Sequence, residues 1–237
     1  MKIVAGQHRC VLFDVDGTIA ETEGQAHLPA FNAAMAEAGL PWRWDRKVYQ
    51  RLLRTTGGFE RLMRFAAESG DKIDDAATLL RQVHQSKNRH FAERMESGVV
   101  QCRAGFRELI MTLARHDIQW GVVTTTSRAN WEALWRYSCA TMGLPAPEVI
   151  VCGEDVAAKK PDPEAYHLAL KRLGLPAAVC CAIEDSRNGL LAAKGAGLTV
   201  AIVRSEFFAE EECSEADLVV RELTELVERV ATTQTAR

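Results

Sequence analysis

The chain has 237 residues, of which 47% are hydrophobic and 26% charged, and its formal net charge is −3. This length fits one large domain, or a core with a smaller inserted module, and the composition is ordinary for a globular protein. The small negative charge gives no electrostatic basis for binding nucleic acid or an anionic membrane surface, so we expect neither partner.

The usual signs of export and membrane insertion are also missing from the sequence. No apolar stretch approaches the ~18 residues that a membrane helix needs, and residues 1–9 lack the apolar segment of a secretory signal. The seven cysteines are odd in number and scattered, and Cys180 and Cys181 lie within an apolar run. Burial explains that pair better than redox chemistry. The sequence predicts a reduced, cytoplasmic protein.

Apolar runs typical of buried strands recur along the chain, interspersed with amphipathic segments. The first strand is predicted at Cys10–Phe13, where four apolar residues are consecutive. Residues 23–100 contain no convincing strand, and apolar residues recur there at helical spacing over 26–38, 48–53, 59–68 and 75–95. Further strands are predicted at 118–125, 148–153, 178–183, 198–203 and 217–220, and further helices at 106–116, 130–142, 163–173 and 189–196.

Strands that alternate with helices predict βαβ units and a mostly parallel sheet. We therefore predict an α/β fold in which residues 1–22 and 101–237 form a Rossmann-like core. Residues 23–100 are predicted to form a helical cap, inserted after the first strand and its turn. The polar segment after Leu226 is predicted to fray. In open sheets of this kind, ligands bind beyond the carboxyl ends of the strands.

Two carboxylates follow the first predicted strand. Asp14 and Asp16 are two residues apart, so their side chains can reach one site, and Gly17 permits a sharp turn beside them. Adjacent like charges are costly unless a cation or a shared proton relieves them, which a metal-assisted site with a nucleophile and an acid/base would do. A solvated turn is the alternative. An EF-hand loop is excluded because Ile19 and Gln25 stand where it needs glycine and glutamate.

Three further strand ends carry polar groups. The hydroxyl and backbone N–H groups of residues 124–127 suit phosphate oxygens, although helix capping explains them equally well. Pro161 restrains the backbone beside Lys160, which is either a fixed cation or a solvated surface residue. Glu184 and Asp185 close another strand, and Asp185 could complete an oxygen-rich site with the first two carboxylates, of the kind that suits Mg²⁺.

The series Asp-x-Asp-x-Thr, Thr, Lys-Pro and Glu-Asp resembles the motifs of the haloacid dehalogenase superfamily of phosphatases and phosphomutases. The resemblance implies that Asp14 attacks phosphorus and forms an aspartyl-phosphate. It implies that Asp16 protonates the leaving oxygen and then activates water, and a neighbouring carboxylate would favour the protonated form. The implied Mg²⁺ ligands are Asp14, the backbone carbonyl of Asp16, Glu184 (directly or through water) and Asp185, and the implied phosphate-binding residues are Thr124, Thr125 and Lys160.

Several segments resemble one branch of this superfamily, the CbbY-type sugar-bisphosphate phosphatases. They are residues 14–23, 44–46, 53–58, 123–127 and 184–190. The resemblance implies hydrolysis of xylulose 1,5-bisphosphate, an inhibitory misfire product of the carbon-fixing enzyme of the Calvin cycle. The implied substrate-site residues are Glu21, Thr55, Thr56, Gly57, Gly58, Arg61, Thr126, Ser127 and Asn188.

The chain departs from that branch in its glycine-rich segment. The branch has Gly-Gly-Lys-Glu-Arg, whereas this chain has Phe59 in place of the lysine. A cation that could bind a second phosphate is thus replaced by an aromatic ring. Arg54, Arg61 or Arg64 could compensate, since guanidinium groups bind phosphate well.

A second departure concerns His27. The branch places a histidine one residue earlier, so that Gly24 or Gln25 resembles an insertion. His27 is either equivalent to that histidine or a helix-surface residue without a partner.

The sequence thus predicts a Mg²⁺-dependent phosphatase acting on a small phosphorylated sugar, with xylulose 1,5-bisphosphate or a related ketose bisphosphate as the expected substrate. One alternative is a phosphomutase of the β-phosphoglucomutase type, which would return the phosphoryl group to a sugar hydroxyl. Another is a non-catalytic phosphosugar-binding regulatory protein, since fold does not fix function. The presence of both Asp14 and Asp16 favours an enzyme.

Overall fold

The computed structural model describes residues 7–231. Every strand named within them pairs in parallel in one sheet. The α/β class and the mostly parallel sheet predicted from the sequence are confirmed. The strands are β1 (Cys10–Phe13), β2 (Gln119–Val123), β3 (Val149–Val151), β4 (Cys180–Glu184), β5 (Thr199–Val203) and β6 (Leu218–Val220).

The strands lie in the order β3-β2-β1-β4-β5-β6, so β1 has β2 and β4 as its neighbours. Phe13 at the end of β1 is aligned with Val122 of β2 and Ile183 of β4. Parallel strands end at the same edge of a sheet. The segments that follow β1, β2 and β4 therefore lie side by side there.

Helices α1 to α4 lie in the interval 23–100, where the sequence predicts helices and no strand. The predicted helix over 130–142 is divided into α6, a π-helical turn at Trp135–Cys139 and a 3₁₀ turn at Ala140–Met142. The helices are α1 (Leu28–Glu37), α2 (Arg46–Leu52), α3 (Gly58–Ser69), α4 (Ala76–Glu96), α5 (Phe106–Arg115), α6 (Arg128–Leu134), α7 (Glu164–Leu173), α8 (Arg187–Gly195) and α9 (Thr224–Ala231).

The prediction that the chain frays after Leu226 is wrong as far as residue 231. Leu223, Leu226 and Val230 are spaced so that they share one face of a helix, and all three are buried. Helix α9 packs against α5, so tertiary packing orders a segment whose composition is mostly polar. Residues 232–237, and residues 1–6 of the amino-terminal segment considered above, lie outside the described part of the chain.

Both faces of the sheet are covered, as expected for parallel strands. Alternate residues of β1 enter different apolar clusters: Val11 and Phe13 pack on the side of α5, whereas Cys10 and Leu12 pack on the side of α7 and α8. Cys180 belongs to the second of these clusters and is buried, as the sequence predicts.

The helical segment and the sheet interlock through two sets of apolar contacts. Phe91 and Met95 of α4 belong to the cluster on one face of the sheet. Conversely, the core contributes a residue to the helical segment: Phe207, from the connection between β5 and β6, is buried in the apolar cluster formed by α1 to α4. None of the described helices has the length and apolar character needed to cross a membrane.

Candidate active site

Lys160 and Asp14 face each other beyond the carboxyl ends of the central strands. The Lys160 Nζ donates to Asp14 Oδ1 at 2.7 Å, to the Val123 carbonyl at 2.7 Å and to Glu184 Oε1 at 2.6 Å. Lys160 is only 4% exposed. It is therefore a fixed, buried cation, and the solvated surface alternative is excluded.

Three carboxylates are gathered around this lysine. Oxygen atoms of Asp14, Glu184 and Asp185 all lie within 4.8 Å of one another. Burial raises the pKa of Asp14 to about 8, with Glu184 and Asp16 adding to the effect and Lys160 opposing it. Burial, followed by the charges of Asp14 and Glu184, likewise holds the pKa of Asp185 well above its usual range. One lysine does not neutralise so many buried acids, and a further cation would relieve them.

The donor set fits a divalent cation. Glu184 Oε2 and Asp185 Oδ2 are buried side-chain oxygens without a hydrogen-bond partner among residues 7–231, and such atoms are costly unless something satisfies them. Carboxylate oxygens are the ligands that hard divalent cations prefer. The side chain of Asp16 is not part of this cluster, and the backbone carbonyl is the group that the resemblance implies for that residue.

Two glycines leave the space that these carboxylates occupy. Gly17 has φ +85°, and a Cβ there would lie 2.0 Å from Asp185 Oδ2. A Cβ at Gly189 would lie 1.9 Å from Glu184 Oε2. Side chains at either position would displace a carboxylate of the cluster, so the local sequence is adapted to hold both acids where they are.

Asp16 is held apart from the acidic cluster. Its Oδ1 accepts from Thr22 Oγ1 at 2.6 Å and lies 3.0 Å from His27 Nε2. Burial acts to raise the pKa of Asp16. This effect is outweighed by the charge and hydrogen bond of His27 and by the hydrogen bond of Thr22, which hold the pKa of Asp16 well below its usual range. The expectation that a neighbouring carboxylate keeps Asp16 protonated is therefore wrong for this arrangement, because these donors favour the carboxylate.

His27 is brought to Asp16 by a π-helical turn at Glu23–His27. The His27 side chain is buried, and its ring stacks on Phe91 with centroids 4.4 Å apart. The alternative of a helix-surface residue without a partner is therefore wrong. A π-helical turn accommodates one residue more than an α-helical turn, which matches the one-residue displacement in the sequence.

Two neighbouring cavities open over the site, with volumes of about 420 and 120 Å³. The larger one is lined by Asp14, Lys160 and Asp185, together with Thr56 and Asn188. Most of the residues expected to bind phosphate or substrate line one or both cavities. Both cavities are lined by Thr125 and Arg61, and the larger one also by Thr56, Lys160 and Asn188. The smaller cavity is lined by Gly57, Gly58, Thr126 and Ser127. The Ser127 hydroxyl also caps α6, accepting from the Asn130 backbone N–H.

Three of the expected residues do not line either cavity. Glu21 forms an ion pair with Arg103 at 2.9 Å, which holds it away from the site. The Thr55 hydroxyl accepts from Arg64 at 2.8 Å. Thr124 is buried, and its hydroxyl accepts from a backbone N–H at 3.1 Å. Because these three residues do not line either cavity, the cavities do not support a direct role for them in binding substrate or phosphate.

Sequence reasoning missed the buried charges in the helical segment. Lys87 lines the smaller cavity, and burial lowers its pKa to about 7. Its Nζ lies 5.1 Å from the Phe31 ring centroid and 5.2 Å from that of Phe91. A signal was present, because Lys87 falls on the same helical face as Val83 and Phe91, where an apolar residue is expected.

Glu23 is a second missed residue, treated in the sequence only as part of a motif. It is buried, lines both cavities, accepts from the Tyr49 hydroxyl and lies 3.6 Å from the Arg61 guanidinium. No sequence periodicity identifies such a partnership, since its members come from three separate segments.

The fold and this site together define a class of protein. Residues 8–197 match the haloacid dehalogenase-like hydrolases, and the chain belongs to that family. The family predicted from the motifs is confirmed.

More particularly, the chain resembles CbbY proteins. It is 44% identical to Protein CbbY of Cereibacter sphaeroides over 219 residues, covering 91% of this chain and 93% of the relative. A mutant CbbY from Rhodobacter sphaeroides in complex with xylulose-(1,5)bisphosphate has a TM-score of 0.85 and 42% identity, covering 92% of this chain and 96% of that chain. A β-phosphoglucomutase-like structure from Thermotoga maritima has a lower TM-score of 0.67 and 25% identity, covering 92% and 96%.

Proposed function

We propose that this protein is a Mg²⁺-dependent sugar phosphatase that hydrolyses xylulose 1,5-bisphosphate, or a related ketose bisphosphate, through an aspartyl-phosphate. The observation that carries the proposal is the buried contact between Asp14 and Lys160 beside two further carboxylates, at the surface of a cavity of about 420 Å³. The greater likeness to CbbY than to the mutase structure supports a hydrolase with a bisphosphate substrate.

In the proposed reaction, Asp14 attacks phosphorus. Lys160 fixes Asp14 Oδ1 at 2.7 Å, so the attack is assigned to the other carboxylate oxygen. Lys160 and Thr125 line the same cavity, which supports a role for both in binding oxygens of the transferring phosphoryl group. A Mg²⁺ ion held by Asp14, Asp185, Glu184 and the backbone carbonyl of Asp16 would supply positive charge that offsets repulsion between the nucleophile and the phosphoryl group.

Asp16 is proposed as the acid and base. It lines both cavities, but its Oδ1 is engaged by Thr22 and His27. To act as an acid, it must leave these partners, carry a proton and approach the leaving oxygen of the sugar. In the second step it takes a proton from the water that attacks the aspartyl-phosphate. We infer that residues 23–100 act as a cap over the core of residues 1–22 and 101–237 and exclude bulk water.

The second phosphate of the substrate requires another cation. Phe59 does not line either cavity; its ring lies under the Arg81 guanidinium, 5.0 Å from centroid to Cζ. Arg64 lies outside both cavities and bonds Glu68 at 2.8 Å. The guanidinium of Arg61 is already engaged by Tyr49 and Glu23.

Arg54 is the cation that fits this role. It lines the larger cavity together with Asp14 and Lys160, and it is exposed. Within residues 7–231 its guanidinium has neither an ion-pair nor a hydrogen-bond partner, whereas Arg187 of the same cavity is paired with Glu215 at 2.8 Å. We assign the phosphate remote from the reacting one to Arg54, because an uncompensated guanidinium binds phosphate strongly.

A phosphate-release assay tests the proposed function. Xylulose 1,5-bisphosphate, xylulose 5-phosphate and p-nitrophenyl phosphate are compared in the presence of Mg²⁺ and of a chelator. We expect the bisphosphate to have the highest kcat/KM and the chelator to abolish turnover. Formation of an isomeric sugar phosphate, with no release of inorganic phosphate, would establish a mutase instead. Binding of the sugar phosphate without any turnover would establish a regulatory protein.

A further inference from the structure

Two cysteine thiols meet outside the active site. The Cys102 Sγ lies 3.1 Å from the Cys139 Sγ, and both residues are free cysteines. A disulfide has an S–S distance of about 2.05 Å, so a movement of about 1 Å would bring the two sulfur atoms to bonding distance. Neither residue has a role in the proposed phosphatase mechanism.

The thiol pair lies where the chain returns from the helical segment to the sheet. Cys102 forms an isolated antiparallel bridge with Ala20, which belongs to the outgoing connection. Cys139 ends the π-helical turn at Trp135–Cys139, and the preceding Ser138 donates a buried hydrogen bond of 2.9 Å to the Val100 carbonyl. A bond between the two thiols would therefore join the return connection, residues 97–103, to the π-helical turn.

The two thiols differ in access to solvent. Cys102 is partly exposed, whereas Cys139 is fully buried. The contact with Cys102, followed by burial, raises the pKa of Cys139 above its usual range. An oxidant from solution therefore meets Cys102 first. The raised pKa slows Cys139 as a nucleophile, so its attack on the modified Cys102 depends on proximity, the two Sγ atoms being 3.1 Å apart.

We propose that Cys102 and Cys139 form a redox-modification site that closes to an intrachain disulfide and ties the return connection to the π-helical turn. With a low-molecular-weight disulfide as the oxidant, the Cys102 thiolate attacks one of its sulfur atoms and releases one thiolate. The Cys139 thiolate then attacks the Cys102 sulfur and releases the second. Two protons are lost from the protein, its two thiols are oxidised by two electrons, and the reagent is reduced to two thiols.

The test uses the full chain with oxidised glutathione, followed by alkylation of free thiols, proteolysis and mass spectrometry. We expect a linked peptide containing Cys102 and Cys139, a loss of two free thiols, and reversal by dithiothreitol. The disulfide closes a loop of about 36 residues, so oxidation should raise Tm by roughly 5–15 °C. Cys102→Ser and Cys139→Ser should abolish both effects, whereas Cys213→Ser should retain them, since Cys213 lies elsewhere in the fold.

The outcomes are separable from those of the phosphatase assay, because none of the readouts uses substrate. Absence of the linked peptide after prolonged oxidation would overturn the proposal, as would glutathione retained on Cys102 without its transfer to Cys139. A linked peptide without a rise in Tm would also contradict it, because the bond would then join segments that no longer hold their native contact. The serine variants are checked for an unchanged far-UV spectrum before oxidation.

Discussion

His27 Nε2 lies 3.0 Å from Asp16 Oδ1, and the His27 ring stacks on Phe91. One side chain thus satisfies a buried carboxylate and packs against an apolar ring of α4. The contact joins the first turn after β1 to the helical segment. It therefore couples the ionisation of Asp16 to the packing of that segment.

His27→Phe separates these two functions of the side chain. The substituted phenylalanine keeps an aromatic ring packed against Phe91, but Asp16 loses the hydrogen bond from His27. The pKa of Asp16 should therefore rise, because the effect of burial is no longer opposed to the same extent. A carboxyl whose pKa is depressed in the folded state contributes stability above its unfolded pKa and loses it as pH falls. We expect the variant to lose about 1–3 kcal/mol at pH 7 and at pH 5 alike, because both lie above the unfolded pKa of Asp, ~3.9. The loss should shrink only below about pH 4. A loss in urea unfolding that stays the same between pH 5 and pH 3 would contradict this.

Asp14→Asn should reduce phosphate release by roughly 10⁴-fold or more, since an amide cannot act as the nucleophile. Lys160 retains its bonds to Glu184 and the Val123 carbonyl, so the fold should persist. Stopped assays with xylulose 1,5-bisphosphate measure the first effect and circular dichroism the second. Undiminished turnover at saturating Mg²⁺ would exclude an aspartyl-phosphate on Asp14.

Asp16→Ala should impair sugar phosphates more than p-nitrophenyl phosphate. A sugar alkoxide needs a proton to leave, whereas p-nitrophenolate does not, and general acid catalysis is typically worth ~10²–10⁴-fold. The comparison is made under single-turnover conditions, which isolate formation of the aspartyl-phosphate from its hydrolysis. The same fold-loss for both substrates would remove the acid role from Asp16.

Arg54→Ala should lower kcat/KM for xylulose 1,5-bisphosphate by roughly 10- to 150-fold, the equivalent of about 1.5–3 kcal/mol for a charge-assisted hydrogen bond. Turnover of p-nitrophenyl phosphate, which has a single phosphate, should be nearly unchanged. Arg64→Ala is the matched control, because Arg64 lies in the same segment but lines neither cavity. If both variants lose selectivity alike, Arg54 does not bind the second phosphate.

Lys87→Met should stabilise the protein at neutral and mildly acidic pH. The pKa of Lys87 is lowered to about 7 by burial, so below that pH the folded protein holds a charge that water would solvate better. We expect a gain on the order of 2–5 kcal/mol near pH 6. Wild-type stability should recover as Lys87 deprotonates above pH 7, so the gain should shrink by pH 9.5. Lys72→Met, at an exposed position, is the control; a gain that does not vary with pH would contradict the assignment.

Local sequence patterns were sufficient to predict the sheet and the centre of the site. Buried strands such as Cys10–Phe13 are marked by continuous apolar runs, and the polar residues that follow them must meet because parallel strands end at one edge. Asp14, Lys160 and the adjacent pair Glu184 and Asp185 come from three separate segments of the chain but converge for that reason. The segment after Leu226 was the exception, because its apolar face is short and acquires its order from α5.

The sequence by itself determined the fold class, the family and the identity of the buried acids and lysine around Asp14. Only the tertiary structure decided which charged groups are neutralised. Glu21 is withdrawn from the cavities by Arg103, and Arg61 is engaged by Glu23, whereas Arg54 has no partner within the described residues. Pairing of this kind depends on distances between side chains from separate segments and on their burial. A linear pattern encodes neither quantity, because the strength of a charge contact is set by three-dimensional separation and local exposure to water.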